Sequence, residues 1–273
     1  MTASAQIERG DRFAFGDNWR AFLRVVDDRR VAAATDSLVE ALGTGDLSGR
    51  DFLDVGCGSG LFSLAAHRLG ARVHAFDVDP ASVAASTELC RRFAADGAWR
   101  IEPGSIVDSE YLDGLGRFDV VYAWGVLHHT GDLWSALAAS TRLVAPGGLL
   151  YLAVYNDQGA RSRVWRRIKH RYNRSGRLVR WLLLALSAGY LYRARPVVRL
   201  LRLLRRGGAA GPVRKRGMSV GHDLVDWVGG YPFEVARPEE VFAFVRRAGF
   251  ELRYLKTCGG GIGCNEYVFE RQR

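Results

Sequence analysis

Residues 53–60 read LDVGCGSG, an apolar strand end, a carboxylate, and then a glycine at every second position. A strand at Asp51–Val55 that feeds a glycine turn and then a helix through Leu61–Leu69 is the nucleotide-binding half of a doubly wound α/β fold. Gly56, Gly58 and Gly60 remove side chains where backbone must approach a ligand or turn with positive φ. The spacing narrows the ligand. Dinucleotide sites favour G-x-G-x-x-G, whose third glycine packs the helix while the helix N-terminus receives a pyrophosphate. Here the pattern is G-x-G-x-G behind Asp54, a carboxylate poorly placed beside a pyrophosphate and suited to a ligand with cationic parts. No Gly-Lys-Ser/Thr follows, which excludes a P-loop.

The remaining pattern alternates strand and helix, which predicts a mostly parallel sheet covered on both faces. Helical spacing runs from Asp17 to Ala41 and ends at Gly43. After the glycine loop come a strand at Val73–Phe76, a helix from Pro80 to Ala95 and a strand at Trp99–Glu102. A strand then follows at Phe118–Trp124, and a helix at Leu133–Val144. Ala145–Gly148 reads as a turn into the buried strand Leu149–Tyr155. Arg237-Pro238 opens a last helix with Pro in its first turn and acids beside it. Two terminal strands, ELRYLK and NEYVFE, flank CGGGIGC as a hairpin. The expected fold is therefore α/β, a Rossmann-like seven-stranded sheet with an antiparallel C-terminal strand and a helical cap insertion. Its expected parts are a helical segment over 1–48, a core over 49–156, an insertion over 157–236 and the rest of the core over 237–273.

Asp77, at the end of the second strand and about twenty residues after the loop, is placed to accept hydrogen bonds from ribose hydroxyls. Val78 beside it can pack on an adenine face. The Asp77 feature fits NAD equally well, so an oxidoreductase stays open at this point. LDVGCGSG, Asp77, FDVVYAWGVLHHTGDLWSAL and LVAPGGLLYLAVYN, in that order, together resemble class I S-adenosylmethionine-dependent methyltransferases. The resemblance covers most of residues 50–156 and returns at 237–273, and it leans toward small-molecule enzymes of the ubiquinone O-methyltransferase type. It implies that Asp54, Gly56, Cys57, Gly58 and Gly60 hold the methionine portion of the cofactor. By the same resemblance Asp77 binds the ribose, and Val78, Ser105 and Ile106 contact the adenine. The family usually has an acid where this chain has Ser105. Trp124 ends the fourth strand, at the sheet edge where ligands bind.

Methyl transfer needs alignment of the acceptor and, for a hydroxyl, removal of one proton. Imidazole titrates near neutral pH, so His129, His222 and His128 are the candidate bases. The two adjacent histidines also fit a plain loop-capping role. Tyr155, Asp157, Asp223, Trp227 and Tyr231 are the candidates for touching the acceptor. The stretch Gly221–Ala236 fits a lid over it, and FGDNW at Phe15–Trp19 fits either a flap over the cofactor or simple helix-start packing. The expected reaction is O-methylation of a small molecule, with N- or C-methylation and a non-catalytic cofactor-binding scaffold as alternatives. No His, Asp or Glu set has metal-ligand spacing.

Charge decides how the insertion reads. No acidic residue falls between Asp157 and Asp223, whereas 18 of the 39 Lys and Arg do, leaving 21 basic against 29 acidic residues elsewhere. Arg195, Arg199, Arg202 and Arg206 recur at helical spacing with Val198, Leu201 and Leu204 between them, a basic amphipathic pattern. The apolar run Trp181–Tyr192 is too short to span a bilayer. Peripheral contact with a membrane or anionic lipid, binding of an anionic or lipid-linked substrate, and a solvated cap all fit this segment. Nucleic acid ranks last, because the Asn/Asp-Pro-Pro-aromatic motif of base-methylating enzymes is replaced by AWGVLHH. The four cysteines show no CxxC pairing, and the first fifteen residues show no apolar signal core. Both suggest a cytoplasmic protein.

Overall fold

The computed structural model describes residues 3–94, 99–191, 215–217 and 220–273. Arg195, Arg199, Arg202 and Arg206 lie outside the described residues. Helices α1 (Ala3–Glu8), α2 (Phe15–Phe22) and α3 (Asp28–Leu42) precede β1 (Asp51–Val55), α4 (Leu61–Arg68), β2 (Arg72–Asp77) and α5 (Pro80–Phe93). There follow β3 (Arg100–Pro103), α6 (Ser109–Asp113), β4 (Phe118–Trp124), α7 (Leu133–Arg142) and β5 (Val144–Tyr155). The insertion supplies α8 (Ala160–Asn173), α9 (Arg177–Leu191) and α10 (Val220–Gly229) before α11 (Pro238–Arg247), β6 (Phe250–Lys256) and β7 (Cys264–Arg271).

The strands form one sheet in the order β3-β2-β1-β4-β5-β7-β6. β1 pairs in parallel with both β2 and β4, so the strand order reverses between β1 and β4 and opens a crevice at their carboxyl ends. β7 pairs antiparallel with β5 and β6 on either side. Successive strand residues point to opposite faces. Phe52, Val120 and Tyr122 pack under α3, α4 and α5, and Leu53, Val121 and Ala123 pack under α7 and α11. Each large side chain buried this way contributes about 1.5–3 kcal/mol.

Helix ends follow from local chemistry. Asp79 caps α5 by accepting from Ala81 N–H at 2.9 Å, with Pro80 in the first turn. At α11, Glu240 reaches back to the Arg237 N–H at 2.8 Å. Two expected boundaries are corrected. The helix expected over 17–41 is two helices, because the Asp27 side chain accepts from Arg30 N–H at 2.9 Å and starts α3 afresh. The turn expected at Ala145–Gly148 is a bulge inside β5: Val144 already pairs with Phe118, and the next pair is Leu149 with Val120. Gly147, at φ 74°, takes up the excess chain.

The insertion packs back on the N-terminal segment. Phe13, Tyr172 and Val228 form one small core, and Tyr155, Trp165 and Phe233 form another. Asn18 ties α2 to α10 by donating to the His222 carbonyl and to Asp226. Lys169 is fully buried, donates to the Trp227 carbonyl, and lies against the rings of Trp227, Phe233 and Tyr155. That burial pushes its pKa down to about 7.

Candidate active site

The glycine loop turns on three left-handed residues, Gly56 (φ 65°), Gly58 (φ 55°) and Gly60 (φ 77°). Sterics require glycine at two of these in particular. A Cβ on Gly56 would stand 2.5 Å from a Val126 methyl, and one on Gly58 would stand 2.8 Å from Trp19 Nε1. The loop is tied to β2: Cys57 N–H donates to the Phe76 carbonyl at 3.0 Å, and Gly58 N–H to Asp77 Oδ2 at 3.0 Å. The second Asp77 oxygen accepts from Asp79 N–H at 2.9 Å. Asp54 accepts from the Ser63 hydroxyl at 2.6 Å.

This loop forms one wall of a cavity of about 830 Å³ at the β1/β4 crevice. Asp54, Gly56, Cys57, Gly58, Asp77, Val78, Ser105, Ile106 and Trp124 all line it, whereas Gly60 sits behind them as the cap of α4. Burial pushes Asp54 up to about 7 and Asp77 up to about 6. Burial also drives the Cys57 thiol well above its ordinary range, which keeps it protonated.

The facing wall comes from α2, the turn after β4, the end of β5 and α10: Phe15, Trp19, His129, Tyr155, Asp223, Asp226 and Trp227. Gly16 N–H donates to Asp79 Oδ2 at 2.8 Å, which fixes the start of α2 against the β2 end. His129 Nδ1 lies 2.6 Å from the Pro232 carbonyl, so Nδ1 carries the hydrogen and Nε2 the lone pair. Burial lowers its pKa to about 3 and keeps the ring neutral. His128 is buried behind it. Its Nδ1 accepts from the Tyr155 N–H at 3.3 Å, and its ring lies tilted against that of Tyr155, with centroids 3.8 Å apart.

The other expected residues stand outside the cavity lining. His222 packs on Phe22 with ring centroids 5.7 Å apart. Tyr231 lies against His170. Asp157 faces a smaller cleft beside Arg163 and Arg166. Sequence reasoning passed over Arg12, Asp226 and Arg216, which do line the cavity. Asp226 carried a usable signal, since it stands three residues after Asp223 on one helical face. It is half-buried, and desolvation pushes its carboxyl up to about 8, with Asp223 adding to the rise. Arg12 and Arg216 carried no such signal, because contacts distant in sequence bring them in. The described residues contain no cluster of metal-binding side chains.

A glycine loop at a switch point, a carboxylate ending β2 and a reversed β7 define a class, the class I S-adenosylmethionine-dependent methyltransferases. The sequence profile of the methyltransferase-domain family matches residues 27–203, and the chain belongs to that family. The ubiquinone biosynthesis O-methyltransferase of Methylococcus capsulatus is 35% identical over 111 residues, which are 40% of this chain and 45% of that protein. The same-named protein of Brucella melitensis is 34% identical over 110 residues, 40% of this chain and 43% of the relative. The chain thus spans less than half the length of the curated relatives it matches. Among solved structures, the magnesium protoporphyrin IX methyltransferase of Synechocystis, with S-adenosylhomocysteine bound, superposes with a TM-score of 0.52. The identity is 15%, over 87% of this chain and 82% of that one. The [4+2]-cyclase SpnF superposes with a TM-score of 0.51 at 16% identity, over 87% and 79% of the two chains. One fold carries different chemistry, so the site has to argue the reaction.

The residues fit the cofactor of this class on observations of this structure. Gly56 and Gly58 leave the cavity wall without side chains, Asp54 and Asp77 are buried carboxylates on it, and the buried Trp124 Nε1–H has no partner among the described residues.

Proposed function

We propose that this protein transfers a methyl group from S-adenosylmethionine to a hydroxyl of a small acceptor. One observation carries the reading: a single cavity joins the glycine loop and Asp77 to a facing wall that holds His129 in its neutral form. The loop, Asp54, Asp77 and Trp124 would hold the cofactor, with Val78, Ser105 and Ile106 around the adenine. When bound, the cofactor supplies an electrophilic methyl group and a neutral thioether as leaving group. His129 Nε2 takes the acceptor's hydroxyl proton as the oxygen–methyl bond forms, and the Pro232 carbonyl holds the resulting imidazolium through Nδ1–H. Tyr155, Asp223, Asp226 and Trp227 shape the acceptor half of the cavity and exclude water. The curated relatives' names support oxygen as the atom methylated.

The test is calorimetry with S-adenosylhomocysteine, followed by the product mass after incubation with a host extract and labelled cofactor. Micromolar binding and a gain of one methyl on an oxygen are expected. Absence of cofactor binding would overturn the reading.

The insertion adds a location to this reading. Along α9, Leu178, Trp181 and Leu186 are 80%, 66% and 63% exposed, on a helix of 15 residues. The exposed Arg161, Arg163, Arg167 and Arg171 of α8 precede them. No described helix is long and apolar enough to cross a membrane. An apolar face flanked by arginines, in a segment without acids, suits the surface of an anionic bilayer. Leu191, the last residue of α9, lines the cavity, which supports an acceptor entrance beside that surface. Flotation with phosphatidylglycerol vesicles, but not with phosphatidylcholine vesicles, is the expected outcome. Equal flotation with both, or none, would remove this part of the proposal.

A further inference from the structure

Methyl transfer as derived above gives no role to Arg216, although the structure goes to some length to place it. Lys215–Gly217 form a short turn seated on α3, where Arg30 Nη1 donates to the Gly217 carbonyl at 2.9 Å. A Cβ on Gly217 would overlap the Arg30 carbonyl. Arg216 itself holds φ at 76°, a left-handed conformation that costs a side-chain-bearing residue energy and clusters at functional positions. The turn drives the guanidinium into the cavity wall, 3.7 Å from the Trp124 ring and 4.3 Å from the Phe62 ring.

The hydrogen-bond inventory around this cation is incomplete. Nη2 donates to Tyr122 OH at 2.5 Å and Nη1 to Tyr151 OH at 3.2 Å, both neutral phenols. Burial holds those phenols protonated. The carboxylate beside it, Glu266, is 3.7 Å away, and that oxygen already accepts from Tyr151 OH at 2.8 Å. Nε is buried with no partner among the described residues. A guanidinium has five N–H donors in a planar fork that matches a carboxylate. Here two are spent on phenols, and the ion pair to Glu266, at 3.7 Å, is too long for a hydrogen bond. Glu266 and the two phenols keep the guanidinium charged, and the Nε–H that has no partner among the described residues leaves the fork open to a further carboxylate.

We propose that Arg216 is the carboxylate receptor of this cavity, holding an anionic group of a ligand against the Trp124–Phe62 wall. The insertion thereby contributes a ligand-binding group to the core. The proposal rests on the cofactor-binding reading above, and it allows two sources of the carboxylate: the methionine end of the cofactor, or the acceptor. It adds no bond-making step, only recognition.

Isothermal titration of the full chain separates these cases without using turnover. The probes are S-adenosylhomocysteine, its decarboxylated counterpart, and benzoate added to the S-adenosylhomocysteine-loaded protein. If the cofactor is the source, the wild type prefers the carboxylated ligand by about ten- to hundredfold, the range for a charge-assisted hydrogen bond, and Arg216→Gln abolishes that preference. If the acceptor is the source, the wild type shows no such preference, benzoate binds the loaded wild type, and Arg216→Gln loses it. A preference or benzoate binding that survives in Arg216→Gln overturns the proposal, as does the absence of both in the wild type. Should Arg216→Gln fail to fold, Arg216→Lys decides. A preference or benzoate affinity reduced at least about threefold supports a planar fork contact, and an unchanged one overturns it. Failure of S-adenosylhomocysteine itself to bind the wild type sinks the cofactor reading instead, so the two failures are distinguishable.

Discussion

The two walls of the cavity are built differently. The loop wall is backbone: Gly56 and Gly58 in left-handed turns, with Asp77 pinning Gly58 N–H. All of it comes from one continuous βαβ stretch. The facing wall is side chains, collected from Phe15 and Trp19 in α2, His129 after β4, and Asp223, Asp226 and Trp227 in α10. A backbone wall can serve any protein that uses the same cofactor, whereas a side-chain wall can be rebuilt for each acceptor. Substitutions should therefore separate cleanly, with loop changes acting on cofactor affinity and facing-wall changes acting on turnover.

The largest effect expected is on turnover, from His129→Ala. If His129 is the base, kcat falls by about a thousandfold, within the range general-base catalysis supplies, while the S-adenosylhomocysteine Kd moves less than about twofold. A cofactor affinity that drops with kcat would instead make His129 part of the loop wall and blur the distinction. The converse change is Gly58→Ala. Left-handed φ and the approach to Trp19 together should weaken cofactor binding about a hundredfold by calorimetry.

That contrast also explains what could be read in advance. The loop wall was legible because its determinants are local: glycine spacing, Asp54 and Asp77 lie within 24 residues of one another and recur at fixed offsets from strand ends. The strand at Phe118–Trp124 was legible for the same reason, as a buried apolar run with clean ends. The break between α2 and α3 was not, because apolar spacing continues through Val25 and Val26 while a single side chain, Asp27, restarts the helix. Arg216 was hidden by composition. It is the last of 18 basic residues in an acid-free stretch, and nothing in the sequence sets it apart from Arg214 and Lys215 beside it. Asp226 was visible within the lid stretch, but its position in the cavity is fixed by a hydrogen bond from Asn18, more than two hundred residues away.

A tenfold effect is expected from pH, and it tests whether the loop wall recognises a cation. Burial holds the free-state pKa of Asp54 near 7, so below pH 7 the carboxyl is largely protonated before ligand arrives. A cationic ligand group favours the ionised form, so binding must expel that proton, and affinity falls as pH drops. From pH 8 to pH 6 the Kd of S-adenosylhomocysteine should rise about tenfold, since each pH unit below the pKa costs a factor of ten. Asp77, near 6, adds to the same trend at the lower end. Asp54→Asn should bind more weakly at pH 8 and show a flatter profile. An unchanged slope in that variant would assign the proton to another group.

The smallest expected effect tests the insertion's outer surface, where side chains act singly rather than as a packed wall. Arg167, Arg171 and Arg177 are exposed and form no ion pair with any described residue, so replacing one leaves no buried partner stranded. Each such substitution should move the melting temperature little, because exposed positions without a paired partner fall within about ±0.5 kcal/mol. Near an anionic bilayer the same residue contributes about 1 kcal/mol, so each Arg→Gln change should weaken binding to phosphatidylglycerol vesicles roughly fivefold. The losses should multiply across the three positions and shrink as salt rises, since exposed charges are screened over about 8–10 Å at physiological ionic strength. Trp181→Ser, on the apolar face, should weaken vesicle binding at every salt concentration, because it removes buried area rather than charge. If all four variants bind vesicles as the wild type does, the exposed face of α9 has another partner, and the insertion's role contracts to the wall that Arg216 helps to build.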